Sequence, residues 1–257
     1  MKMRWIFLIL LMEAVPLFSQ LRQNTLQASS EGAANLILSV GSYYPLRDAV
    51  DYLNREYGWR ISYEDPRYPE SEIVDIAIPQ WKKNHPGERG FYAPKWTDMR
   101  FRITKPLGRD GEQKKALTEL IEQFNQLDRQ DKFTILDASL KRNVVVGSVR
   151  GESVLEYASM GPETKQRSGS EELHMLIEQC GAQMPMPMHM VVGTVSVNML
   201  GHITLPPRKA PVSCREALLA LTAQGGADLV YQIMEDITGQ VFVVNIVPNR
   251  IVIHPPN

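Results

Sequence analysis

Four apolar stripes at helical spacing, each followed by extended chain, constrain this sequence more than any other feature. Leu46, Ala49, Val50 and Leu53 stand at i, i+3, i+4 and i+7, and so do Cys214, Ala217, Leu218 and Leu221. Leu117, Leu120, Ile121 and Phe124 repeat the spacing, as do Leu173, Leu176, Ile177 and Cys180. Side chains so spaced share one helix face. Burying four of them contributes on the order of 6–12 kcal/mol before the entropy cost of ordering the chain. Stripes of that weight form core rather than binding grooves.

Boundary residues agree with this reading. Pro45 opens the first helix and Gly58 closes it. Ser170 is expected to cap the helix that Gly181 stops, and Ser213 with Glu216 forms a capping box for the helix that Gly225-Gly226 ends. Leu36–Val40 reads as a strand, and Trp59, Ile61 and Tyr63 alternate with Arg60 and Ser62 at strand period. Met99, Phe101 and Ile103 alternate with Arg100, Arg102 and Thr104, and the segments 133–138 and 143–148 form a hairpin. In the second half, 184–192 and 195–205 read as extended, with a last edge strand at 251–253. The pattern predicts an α+β protein of two related modules, 35–150 and 151–257. Each is a βαβ unit followed by βαββ, with helices packed against small mixed sheets.

The ends carry a different signal. Lys2 and Arg4 precede the apolar run Trp5–Met12, and apolar residues resume at 14–18. This predicts a signal peptide over 1–20, cleaved near Ser19, and hence a periplasmic or secreted protein. Residues 21–34 are polar and small, a mobile leader. No later stretch is apolar enough to span a bilayer. In an exported chain, Cys180 and Cys214 can form a disulfide closing a loop of about 33 residues, adding about 3–4 kcal/mol. Equally, both can sit in apolar helix faces as small hydrophobes.

Chemistry is sparse. No nucleophile elbow, zincin, dithiol, dinucleotide or P-loop motif occurs, and the five histidines show no metal-ligand spacing. A non-catalytic protein is expected, although a site assembled only in space, such as that of a hydrolase, leaves no such trace. A net charge of -1, from 28 Lys+Arg and 29 Asp+Glu, argues against a dedicated nucleic-acid binder. Two stretches stand out. Met184, Met186, Met188 and Met190 with His189 can supply soft ligands to Cu(I), and they can equally form an apolar strand face. The second is the insertion 64–98, which carries Pro66, Pro69, Pro79, Pro86 and Pro94 and breaks the periodic pattern. In it, Trp81, Lys82, Lys83, Arg89, Tyr92 and Trp96 interleave rings and cations, the composition of a contact surface on a loop. The alternative is a solvated loop whose cations pair with the acidic residues Glu64, Asp65, Glu70, Glu72 and Asp75.

The stretches YPLRDAVDYLNREYGWRISYED (44–65) and VSCREALLALTAQGGADLVYQIMED (212–236) look alike. Each has an Arg-acid-Ala triplet (Arg47-Asp48-Ala49, Arg215-Glu216-Ala217), a leucine four residues on, a glycine stop and a strand. Preceded by the apolar strands at 36–40 and 203–205, they resemble the short N-terminal domain shared by secretins and TonB-dependent receptors. The resemblance covers about 20–25 residues of each half. It implies two helices packed between two small sheets and a non-catalytic docking role toward an envelope protein partner, with no cofactor. No barrel or secretin ring follows in this sequence, so the resemblance is to the module alone.

Overall fold

The computed structural model describes residues 23–249 apart from 106–109, 131, 137–143, 150–152, 154, 156–157, 185–188 and 225–228. The signal peptide expected over 1–20, the strand expected at 251–253 and the stop expected at Gly225-Gly226 lie outside the described residues. The fold is α+β.

The first half begins earlier than the sequence suggests. Thr25–Glu31, expected as part of a mobile leader, is strand β1, paired antiparallel with β2 (Asn35–Ser42) along its whole length. Its polar sequence, TLQASSE, gives no alternating signal, so the ladder to β2 rather than side-chain burial orders it. Helix α1 (Pro45–Tyr57) starts at its proline and ends at Gly58, whose φ of 63° suits glycine; the Gly58 N–H donates to the Asn54 carbonyl at 2.9 Å. The chain continues through β3 (Ile61–Glu64), β4 (Ile73–Asp75), the short helix α2 (Pro79–Asn84), β5 (Tyr92–Pro94) and β6 (Thr97–Thr104). Helix α3 (Asp110–Asn125) then leads to the hairpin β7 (Phe133–Leu136) and β8 (Val144–Ser148). Leu46, Val50, Leu53, Leu117, Leu120 and Phe124 share one core with Leu38, Phe101 and Ile103 on one side and Ile61, Tyr63 and Val146 on the other. Two helices are thereby held between the sheet β1-β2-β6 and the strands β3, β8 and β7.

The two long helices of this half, α1 and α3, end on the same device. Buried Asn54 donates to the Ile61 carbonyl at 2.8 Å and accepts from the Ile61 N–H at 3.0 Å. Asn125 does the same to Phe133, at 2.8 and 2.9 Å. A carboxamide presents an N–H donor and a carbonyl acceptor side by side, so each asparagine stands in for a neighbouring strand at the start of the strand that follows its helix.

The second half keeps the same order of elements, with two-residue strands ahead of its two long helices. β9 (Ser159–Met160) pairs with β13 (Val212–Ser213), and β10 (Arg167–Ser168) pairs with β12 (Thr204–Leu205). Helix α4 (Gly169–Gly181) is capped by Ser168 and not by the expected Ser170. Glu171 lies at the third helical position from Ser168 and closes the box. The box of Ser213 and Glu216 caps α6 (Cys214–Ala223) as expected. Strand β11 (His189–Val195) is followed by a helical turn, α5 (Val197–Gly201), where the sequence suggests extended chain. The hairpin β14 (Leu229–Asp236) and β15 (Val241–Pro248) completes a second core with Leu173, Leu176, Leu218 and Leu221. A disulfide joins Cys180 at the end of α4 to Cys214 at the start of α6, with 6.2 Å between their Cα atoms.

The two halves share one sheet, in the order β11-β15-β14-β3-β8-β7. Each half contributes three strands in the same sequence: the strand after its first helix, then the second and first strands of its hairpin. β14 and β3 pair in parallel, with Gln232 beside Tyr63 and Ile233 beside Glu64. Side-by-side residues share a face, and Tyr63 belongs to the first core whereas Ile233 belongs to the second. The helices of the first half therefore cover one face of the sheet, and those of the second half cover the opposite face.

Candidate functional site

The seam between β3 and β14 buries an unusual number of polar groups. Glu64 is fully buried and receives Arg215 of α6 through two bonds of 2.8 Å, together with the Tyr231 hydroxyl at 2.6 Å and the Ser153 hydroxyl. On the other face Arg47 of α1 donates to the Met234 thioether at 3.4 Å, lies 4.5 Å from the Tyr44 ring and pairs with Asp48 at 2.8 Å. Asp51 accepts from the Gln232 amide at 2.5 Å. Burial raises the Asp51 carboxyl to about 6, with Arg47 opposing the rise.

Next to this seam, Asp65 is 2% exposed. Burial raises it to about 6, and the charge of Arg47 and hydrogen bonds from Tyr68 and Tyr63 hold it from going further. One oxygen accepts from the Tyr68 hydroxyl at 2.8 Å and the other from the Glu235 N–H at 3.2 Å. Glu235, also buried, accepts from the Tyr68 N–H at 2.7 Å. These carboxylates fix the first turn of the insertion to the end of β14.

The insertion is itself folded. β4 and β5 pair antiparallel, and Lys95 N–H donates to the Glu72 carbonyl at 2.8 Å. Asp75 organises α2, accepting from the Ala77 N–H and from Lys82, both at 2.8 Å. Toward the first half, Glu72 accepts from the Gln130 N–H at 2.6 Å and Arg129 donates to the Lys95 carbonyl at 2.8 Å. Toward the second half, Arg89 donates to the Ile237 carbonyl at 2.8 Å, and the Tyr92 N–H donates to the Thr238 hydroxyl at 2.9 Å. The insertion thus bridges both halves.

Where it meets the β14–β15 turn, it leaves a cleft of about 420 Å³. Tyr68, Glu235 and Ile237 are its buried residues, Ile73 and Tyr92 are half-buried, and Arg67, Glu70, Arg89 and Gln240 are exposed at its rim. Gln240 has a φ of 55°, the one non-glycine residue with positive φ among the described residues. Gly239 stands beside it, so a glycine was available in the turn but does not occupy the left-handed position. Holding glutamine there costs on the order of 1–3 kcal/mol, and the residue lines the cleft. Arg89 is oriented by a neutral carbonyl and by the Tyr92 ring, 5.6 Å away, and not by a carboxylate.

The structure divides the basic-aromatic run. Arg89 and Tyr92 line the cleft. Trp81 stacks on His85 at 4.6 Å and meets Phe91 at 5.0 Å, while Lys82 is paired with Asp75 and Lys83 is exposed on α2. Trp96 lies elsewhere, edge-on to Tyr43 at 5.1 Å, with its indole N–H on Asp98. Sequence reading did not single out Arg67, Tyr68, Glu235, Ile237 or Gln240 as site residues. Their one sequence trace is the pair of stretches 64–70 and 235–240 that follow the two seam strands.

Of the methionine stretch, only Met184 and the residues from His189 onward are described. β11 starts at His189, which is exposed, and Met184 lies in the turn after α4. Met184 and Met190 pack into the second core, and Met186 and Met188 lie outside the described residues. Among the described residues no group of three or more His, Cys, Asp or Glu is placed to hold a metal ion. No described helix is long and apolar enough to cross a membrane. No family model, curated protein or solved structure matches the chain.

Proposed function

We propose that the protein is a non-catalytic, exported adaptor of the cell envelope, built from two modules of the short N-terminal domain type, and that its partner docks at the cleft beside the insertion. The observation that carries this reading is the bridging of the insertion. Arg89 and Tyr92 tie it to the β14–β15 turn, Glu72 and Arg129 tie it to the first half, and the cleft between is formed before anything enters it. In support of the module assignment, each half places strand, helix, strand, then strand, helix and hairpin in the same order.

A docking role also fits the acids nearest the cleft better than catalysis does. Asp65 is buried with both oxygens occupied by protein donors, so a substrate atom does not reach it. Glu235 has an oxygen committed to the Tyr68 N–H.

The test is affinity capture from an envelope extract of the producing cell, with the chain from residue 20 as bait beside its Arg67→Glu variant. A partner retained by the parent chain and lost with Arg67→Glu supports the reading. A partner retained equally by both, or none retained by either, contradicts it.

A further inference from the structure

We infer that the cleft captures the C-terminal carboxylate of an extended peptide chain, with Arg67 and Arg89 as the carboxylate's donors; this rests on the docking reading above and names the chemistry of the docked segment. Among the described residues, neither guanidinium forms an ion pair, in a chain whose cations and anions are nearly equal in number. Arg67 is exposed at the rim and makes no described contact with an acid. Arg89 spends one N–H on the Ile237 carbonyl and rests near the Tyr92 ring, which fixes the guanidinium while leaving donors of its planar fork unused. Two arginines that line one cleft, neither in an ion pair among the described residues, form a site for an anion.

The rest of the lining selects the anion. Glu70 and Glu235 also line the cleft, so the four charged side chains sum to zero. A phosphate carrying nearly two charges is repelled by those carboxylates more strongly than a single carboxylate, which adds only one charge beside two arginines. Tyr68, Ile73, Tyr92 and Ile237 offer apolar surface for the side chain that precedes such a carboxylate. Gln240, whose backbone is held in the left-handed region at the rim, adds a carboxamide with donors and an acceptor suited to a peptide backbone. A free chain end with an apolar last residue satisfies all of these groups together.

The test uses a pool of randomised hexapeptides, fluorescently labelled at the N-terminus and made in two forms, free acid and C-terminal amide. Each pool is passed over the immobilised chain from residue 20 and over its Arg67→Ala variant. Arg67 makes no described internal contact, so the variant is expected to melt at the parent temperature. The expected result is retention of the free-acid pool at least about tenfold above the amide pool, falling to the amide level with Arg67→Ala. Retained peptides should share an apolar last residue. Equal retention of acid and amide, no retention, or indifference to Arg67→Ala overturns the inference. Displacement by millimolar inorganic phosphate or by phosphatidylglycerol vesicles also overturns it, in favour of a phosphate ligand. If envelope capture succeeds while this test fails, docking stands and the carboxylate chemistry alone is lost.

Discussion

Arg215, in the first turn of α6, reaches across the seam between the two halves and holds the buried Glu64 of β3 through two hydrogen bonds of 2.8 Å. Arg47, in the first turn of α1, reaches across the same seam in the other direction, onto Met234 of β14. These are the arginines of the two Arg-acid-Ala triplets. β3 and β14 run parallel and carry their helices on opposite faces, so each first-turn arginine overhangs the strand of the other half. Both triplet arginines thus bind across the seam between the halves.

Removing Arg215 should therefore damage both halves at once. Arg215→Ala leaves Glu64 as a buried carboxylate without its cation, a change that costs about 3–5 kcal/mol. Urea unfolding followed by circular dichroism should show the free energy of unfolding fall by that amount, with Arg215→Lys losing less. A loss below about 1 kcal/mol would mean that Glu64 is satisfied without the arginine.

The disulfide gives a second, independent test. Cys180 and Cys214 are 34 residues apart in sequence, and their bond clips α4 to α6. Cys180→Ala with Cys214→Ala should lower stability by about 3–4 kcal/mol, by the loop-closure argument. Calorimetry of the parent chain with and without reductant checks it. Equal melting temperatures would show that the clip adds nothing.

Much of the fold was legible in the sequence, because it depends on local signals. The four stripes, Pro45 and Gly58, and the box of Ser213 and Glu216 all act within one or two helical turns, and all four stripe helices formed where those signals placed them. What was not legible depends on distant partners. β1 is polar and is ordered by its ladder to β2. Ser168 rather than Ser170 caps α4, because Glu171 completes the box from the earlier position. The candidate site is a stronger case. Arg89 and Tyr92 stood out by composition, but Trp96 stood out equally and sits elsewhere, while Gln240 enters the cleft from a turn roughly 150 residues away in sequence. Composition flags residue types; only the pairing of β3 with β14 decides which of them meet.

The seam acids set a pH dependence whose sign can be worked out. Asp51 and Asp65 are raised to about 6 in the folded chain, above the ordinary aspartate value of about 3.9. Between pH 6 and 4 the folded state binds protons that the unfolded state has released, so stability rises as pH falls through that window. The expected gain is on the order of 2–3 kcal/mol per group, and it stops below about pH 4. Asp75, held below its usual value by Lys82, works in the opposite sense only at still lower pH. Urea midpoints measured from pH 7 to pH 4 should rise, and Asp51→Asn should flatten the slope by about half. A midpoint that falls steadily over this range would contradict the assignment.

The most direct test of the central claim is site-specific photo-crosslinking in the producing cell. A benzoylphenylalanine is placed at Ile73, within the cleft, and in a second strain at Val197, which is 66% exposed on the far half. Docking at the cleft predicts a discrete adduct of defined mass from the Ile73 position and none from Val197. No adduct from Ile73, or the same adduct from both positions, would contradict it.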